Sequence, residues 1–436
     1  MKLPKRIASV LMNSLKSGVV PRIGLPYIAV GREQEIRALL HDVDLIADGG
    51  ASFRFIVGKY GSGKSFLLQT IRNYVMDRGF VVADADLSPE RRLQGTRGQG
   101  LATYKELIQN LATKTRPEGG ALTLILERWI SSIQSEVAAQ SGLQPDDPAF
   151  RKQVEQRIYE VINSLNEMVH GFDFARLLSL YYQASLSGDD ATKARVVKWF
   201  RGEYTTKTEA RTELGVNIVI TDDDWYEYIK LFAAFLKQAG YSGLLVLVDE
   251  LVNIYKIPNS ITRQYNYEKI LTMYNDTLQG KARYLGIIMS GTPQCVEDTR
   301  RGLYSYEALK SRLQVGRFGR EGDMLSPVIR LAPLTNEEML VLVEKLADIH
   351  AGLYDYAQTL TQDDLVQFMQ IEFGRIGADT NITPREVIRD FIELLNILYQ
   401  NPSLKVAELL GSEQFSYAKA EVDPIALEKE FEEFEI

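Results

Sequence analysis

Residues 53–66 read FRFIVGKYGSGKSF, and the fold turns on them. Phe53, Phe55, Ile56 and Val57 form a short apolar, aromatic and β-branched run that predicts a strand. The run stops at Gly58, and Gly58, Gly61 and Gly63 permit a tight loop before a helical pattern begins at Lys64. Gly58, Lys59, Tyr60, Gly61, Ser62, Gly63, Lys64 and Ser65 fit the spacing G-x-x-x-x-G-K-[ST], with Phe66 directly behind. Such a loop lets backbone N–H groups converge on phosphate oxygens, and the following helix adds its positive dipole end. On this reading the loop binds a nucleotide, Lys64 reaches its β- and γ-phosphates, and Ser65 is a ligand of Mg²⁺. The competing reading is an ordinary glycine-rich turn.

The whole chain has 436 residues, enough for two or three domains with a sizeable core. Its formal net charge of −8 argues against a generally basic nucleic-acid coat, although a local basic patch is compatible with it. No apolar run approaches the roughly eighteen residues that would span a bilayer, so no membrane partner is expected. The opening MKLPKRIASVLMNSLKSG is interrupted by Asn13 and Ser14 and predicts an amphipathic helix using Ile7, Val10, Leu11 and Leu15. Cys295 is the only cysteine, which excludes an intrachain disulfide and a cysteine-based zinc site. A cytoplasmic protein is expected.

A phosphate loop needs an acidic partner, and YSGLLVLVDELVNIYKI supplies one. Leu244–Val248 is a continuous apolar run suited to a parallel strand buried on both faces, and it ends in Asp249-Glu250. Asp249 would hold the Mg²⁺ shell and Glu250 would polarise the attacking water as general base. The other reading of this pair is a helix cap. Between the two motifs, FVVADADL predicts a second strand ending at Asp84, Asp86 and Leu87, whose carboxylates either face the ligand crevice or cap a solvated turn. Arg91, Arg92 and Arg97 then cluster among glycines; nucleic-acid phosphates are one target for them, and a solvated basic loop is the alternative. From Leu101 to Gly240 the patterns are mostly helical, in runs such as LTLILERWISSIQSEVAAQ, VEQRIYEVINSLNEMVHGF and WYEYIKLFAAFLKQAG. Their aromatics, among them Trp129, Tyr159, Tyr181, Tyr182 and Trp199, read as core. After the acidic pair, ARYLGIIMSGTP predicts a fourth strand and Val328–Leu331 a fifth. Thr335 with Glu338 forms a capping box, and Pro384 marks another helix start.

Taken in order, V-G-R-E, G-K-Y-G-S-G-K-S, L-V-D-E, S-G-T-P, S-R-L and T-P-R-E resemble the boxes of AAA+ ATPases, especially initiator-type modules. The resemblance implies that Ile28, Val30, Gly31 and Arg32 frame the adenine. It implies a polar sensor after the fourth strand, Thr292 in preference to Ser290. It further implies an arginine finger at Arg312, with Arg317 as competitor, acting on a neighbouring subunit in a homo-oligomer. Arg385 would be the lid arginine that reaches the γ-phosphate, with Arg389 one turn on.

More narrowly, the stretch from Phe53 to Leu122 is similar to the BrxD family, ATP-binding proteins of BREX-type phage-defence loci. That likeness implies a bacterial or archaeal antiviral role beside a helicase-like partner, with DNA as one candidate target. The expected fold is α/β, a P-loop NTPase of AAA+/ASCE type with a five-stranded parallel sheet, a large helical insertion and a C-terminal helical lid. The expected divisions are residues 1–52 for N-terminal helices and the adenine-side motif, 53–88 and 241–332 for the ATPase core, 89–240 for the insertion, 333–402 for the lid and 403–436 for an acidic tail. The expected function is a Mg²⁺-dependent ATPase coupled to conformational change or assembly. Alternatives are a nucleotide-gated scaffold with negligible turnover and a DNA-loading ATPase.

Overall fold

The computed structural model describes residues 3–314, 323–375, 383–404 and 406–410. The chain divides into two compact units, one formed by Arg32–Pro333 and the other by Met1–Gly31 with Leu334–Ile436.

The Arg32–Pro333 unit is built on five parallel strands: β1 (Ala51–Val57), β2 (Val81–Asp86), β3 (Leu244–Asp249), β4 (Leu285–Gly291) and β5 (Val328–Arg330). Their spatial order is β2-β3-β4-β1-β5, so all five expected strands form and share one sheet. Alternate side chains of a strand point to opposite faces. Ile56, Val82, Leu245, Leu247, Ile288 and Ile329 accordingly pack against Leu39, Val43 and Ile46 of the helix Glu33–Ala47 and Leu67, Leu68, Ile71 and Val75 of the helix Lys64–Asp77. The opposite parity, including Phe55, Ala83, Val246 and Ile287, joins a far larger apolar cluster. Both faces are thereby covered, which is why β3 reads as an unbroken apolar run rather than an alternating one.

The larger cluster draws in the helices between β2 and β3. Trp129 meets Phe235 edge to face at 5.2 Å, Phe174 meets Phe232 at 5.1 Å and Trp199 meets Tyr228 at 5.4 Å. Trp129, Tyr181, Tyr182 and Trp199 are fully buried, and Tyr159 is half-buried against them, so these rings are core as expected. The insertion thus continues the core of the sheet. Its run at 154–172 proves to be two helices, Pro148–Leu165 and the start of Gly171–Ser187. His170 takes a left-handed φ of 60°, and a Cβ on Gly171 would lie 1.9 Å from the Leu165 carbonyl oxygen, so only glycine permits the corner. Two further helices, Asp190–Phe200 and Lys207–Leu214, lie inside the stretch expected to be mostly helical but outside its quoted runs.

In the other unit, the helix Lys5–Lys16 packs on Pro384–Gln400 and on Asn336–Tyr354. Its buried residues are Ala8, Leu11, Met12 and Leu15. Val10, expected on that face, is 39% exposed because it lies one position off the stripe. Capping boxes start Asn336–Tyr354 at Thr335 and Pro384–Gln400 at Thr383, satisfying two orphan N–H groups at each start. No helix among the described residues is long and apolar enough to cross a membrane.

Candidate functional site

The C-terminal ends of β1, β3 and β4 place the two motifs together. Such carboxyl ends, beside the point where the strand order departs from the chain order, are where open parallel sheets bind ligands. β1 runs into the Gly58–Ser65 loop, whose Gly61 and Gly63 have φ of +75° and +90°. The loop closes on itself through Ser62 N–H donating to the Lys59 carbonyl at 3.1 Å. Among the described residues, no backbone carbonyl accepts from the N–H groups of Gly61, Gly63, Lys64 or Ser65. Four donors at the start of a fourteen-residue helix make a nest for anionic oxygens.

Lys64 Nζ donates to the Gly58 and Lys59 carbonyls, each at 3.0 Å. Burial holds its ammonium pKa below the ordinary lysine value, against the opposing charges of Asp249, Glu250 and Cys295. Ser65 Oγ donates to Asp249 Oδ2 at 2.6 Å. A hydroxyl and a carboxylate side by side are hard oxygen donors suited to Mg²⁺. No group of three His, Cys, Asp or Glu side chains among the described residues gathers to hold a metal alone.

Asp249 is buried, and its other oxygen accepts a short hydrogen bond from the hydroxyl of Ser290, itself fully buried on β4. Ser290 therefore orients Asp249. Glu250 follows, exposed and in a left-handed conformation with φ 62°. Its N–H donates to Asp249 Oδ1 at 2.8 Å, and its carbonyl accepts from Asn253 N–H at 3.0 Å. Asn253 also donates through Nδ2 to the Leu87 carbonyl at 2.8 Å, tying the turn to the end of β2. Thr292 Oγ1 lies 3.1 Å from Cys295 Sγ just beyond β4, and burial pushes the Cys295 thiol pKa up while the Thr292 hydroxyl and Lys64 pull it down.

Asp86 sits beside Asp249 in the sheet register. Although its side chain is exposed at the strand end, partial desolvation there raises its pKa first, and the charges of Asp249, Asp84 and Glu250 raise it further. A folded pKa above the unfolded one means that ionised Asp86 disfavours the folded chain. The cost is absent below the ordinary aspartate range and complete above the raised folded value. Asp86→Asn is expected to raise the thermal unfolding midpoint at neutral pH, by an amount that shrinks as the pH falls toward that range. Melting curves of both proteins across pH check this.

Of the other expected site residues, Arg32 is buried beside the loop, its Nη2 donating to the Ser62 carbonyl at 3.0 Å. Ile28, Val30 and Gly31 belong to the other unit, where Ile28 is a core residue. Arg385 also belongs to that unit and donates to the Gly18 carbonyl through Nε at 2.8 Å, while Arg389 Nε contacts Asp390 at 3.1 Å. Arg312 donates to Asn275 Oδ1 at 3.2 Å and to the Ala308 carbonyl at 2.7 Å. A finger role would require it to leave both for a second copy of the chain. Arg317 lies outside the described residues.

Arg91 is not a free cation: its Nε donates to the Asp86 carbonyl at 2.9 Å, and its guanidinium lies 3.7 Å from Glu106. Asn266 clamps the same loop by accepting from Leu93 and Gln94 N–H and donating to the Gln94 carbonyl, each at 3.0 Å. A cavity of about 1010 Å³ opens beside it, lined in part by Lys105, Asp223, Tyr265 and Lys269, and shares no residue with the Gly58–Ser65 loop.

Sequence reasoning missed the orienting part of Ser290 and the link through Asn253. Both links join residues far apart in the chain, and neither Ser290 nor Asn253 carries a local signal for them.

The family described as BREX system ATP-binding protein BrxC/D matches residues 3–414 of the chain. A comparison with curated proteins found no match.

Proposed function

We propose that this chain, which belongs to the BREX system ATP-binding protein family BrxC/D and so has an ATP-binding role in phage defence, is a Mg²⁺-dependent ATPase of the AAA+ P-loop type. Hydrolysis would drive a conformational or assembly change within that system. The observation that carries the reading is the 2.6 Å contact between Ser65 and Asp249, which joins motifs 184 residues apart at one end of the sheet.

The residues divide the work by position. The N–H groups of Gly61, Gly63, Lys64 and Ser65 bind phosphate oxygens. Lys64 exchanges the Gly58 and Lys59 carbonyls for the β- and γ-phosphates. Ser65 and Asp249 hold Mg²⁺, which when bound supplies neutralisation of phosphate charge. Ser290 keeps Asp249 turned toward Ser65. Glu250, exposed and just past the metal-side carboxylate, accepts the proton of the attacking water. Thr292, beyond β4, senses the γ-phosphate. Family membership implies partners within the BREX system; a helicase-like partner, DNA and self-association are part of this proposal.

Phosphate release from ATP tests the reading. Release is expected to require Mg²⁺, to stop with EDTA, and to fall at least about tenfold in Ser65→Ala. ATP that is bound but never hydrolysed, with or without Mg²⁺, would instead favour a nucleotide-gated scaffold.

A further inference from the structure

Arg32 is 6% exposed, and its guanidinium reaches three groups of the Arg32–Pro333 unit. Nη1 lies 3.2 Å from Glu35 Oε1. Nη2 donates to two carbonyls, Ser62 at 3.0 Å and Ala332 at 2.9 Å. Ala332 follows Leu331, whose N–H donates to the Val57 carbonyl at 2.8 Å, so this anchor is fixed to the end of β1. Only an arginine offers a planar fork that meets a carboxylate and carbonyls from one rigid group.

The Ser62 carbonyl has a directional consequence. A trans peptide is planar, with its C=O and the next N–H on opposite sides. Holding the Ser62 oxygen toward Arg32 turns the Gly63 N–H the other way, among the donors of the Gly58–Ser65 nest. Glycine at 63, at φ +90°, leaves that peptide free to rotate because it has no Cβ to restrict its backbone angles, and the space around it is open to Phe66 Cβ at 4.0 Å. Rotated, the same peptide would present a carbonyl oxygen to an anion. Arg32 is the described side chain that bonds this carbonyl and opposes that rotation.

We infer that Arg32 is a positioning residue for the triphosphate: its guanidinium holds the Ser62–Gly63 peptide with the N–H toward the phosphate oxygens. The inference rests on the ATP-binding reading of the Gly58–Ser65 loop. It differs from an adenine-side role, in which Arg32 would act on the base.

The two are separated by titrating ATP and inorganic tripolyphosphate, each with Mg²⁺, into the full chain and its Arg32→Lys, Arg32→Gln and Glu35→Gln variants, with ligand-free melting curves alongside. Arg32→Lys and Arg32→Gln are expected to weaken ATP and tripolyphosphate by the same factor, about tenfold or more. Glu35→Gln keeps both carbonyl bonds of Arg32 and is expected to stay within about threefold of wild type for both ligands. Loss of ATP affinity with tripolyphosphate unchanged would overturn the inference in favour of a base contact. An equal loss in Glu35→Gln, or a lowered melting point with unchanged affinity in the Arg32 variants, would reduce Arg32 to general structural support and also overturn it. A wild-type chain that takes up neither ligand would overturn the loop reading itself, and the Arg32 role with it.

Discussion

Replacing Glu250 by Gln is expected to lower ATP turnover by about 10² to 10⁴-fold while ATP binding stays within about twofold of wild type. Gln keeps the length and shape of the side chain and removes only its capacity to take a proton. The backbone that carries it should not change, because the main-chain bonds to Asp249 Oδ1 and Asn253 hold the turn. Those anchors hold a left-handed conformation, φ 62°, that costs a non-glycine residue roughly 1–2 kcal/mol. Strain kept at a residue with no packing task fits a side chain that must be aimed. Phosphate release and equilibrium ATP binding, measured on the same preparation, check the split between rate and affinity.

Lys64→Ala is expected to weaken ATP binding by on the order of a hundredfold, the range of a charge-assisted hydrogen bond to phosphate. The ligand-free fold should be unharmed. Burial holds the Lys64 pKa below its ordinary value, so the ammonium is less comfortable in the folded chain than in water. The sign follows: a lysine whose folded pKa is depressed subtracts stability while it is charged. The Ala variant should therefore melt no lower than wild type at neutral pH in the absence of nucleotide, and should lose the upward shift that ATP gives wild type. A site that costs stability in the free protein and recovers it on binding is the pattern expected of function rather than packing.

Most of the sheet was legible because its strands carry local signals. β1 and β3 are short apolar runs ended by glycine or acid, and the loop spacing at Gly58–Ser65 identifies itself. Asp249 and Glu250 could be paired with that loop because the partner of a phosphate loop must be acidic and must end a strand. What the sequence hid was long-range. Arg32 reads locally as the residue before a helix, and its bonds to Ser62 and Ala332 span 30 and 300 positions. Ser290 resembles a sensor until the β3–β4 register sets it across from Asp249. The corner at 166–170 carries no proline, and its left-handed residue is a histidine, so one apolar period seemed to run through it. Asp190–Phe200 and Lys207–Leu214 are short and highly charged, with little periodic signal. The single core shared by sheet and insertion was equally invisible, since period and spacing describe one element at a time.

The central claim is that the loop at Lys64 and the acidic pair at Asp249-Glu250 form one hydrolytic site. The most direct measurement is the identity of the nucleotide retained on Glu250→Gln after incubation with ATP and Mg²⁺, set beside wild type. Intact ATP is expected on the variant, and ADP with released phosphate from wild type. ADP on the variant, formed at the wild-type rate, would contradict it.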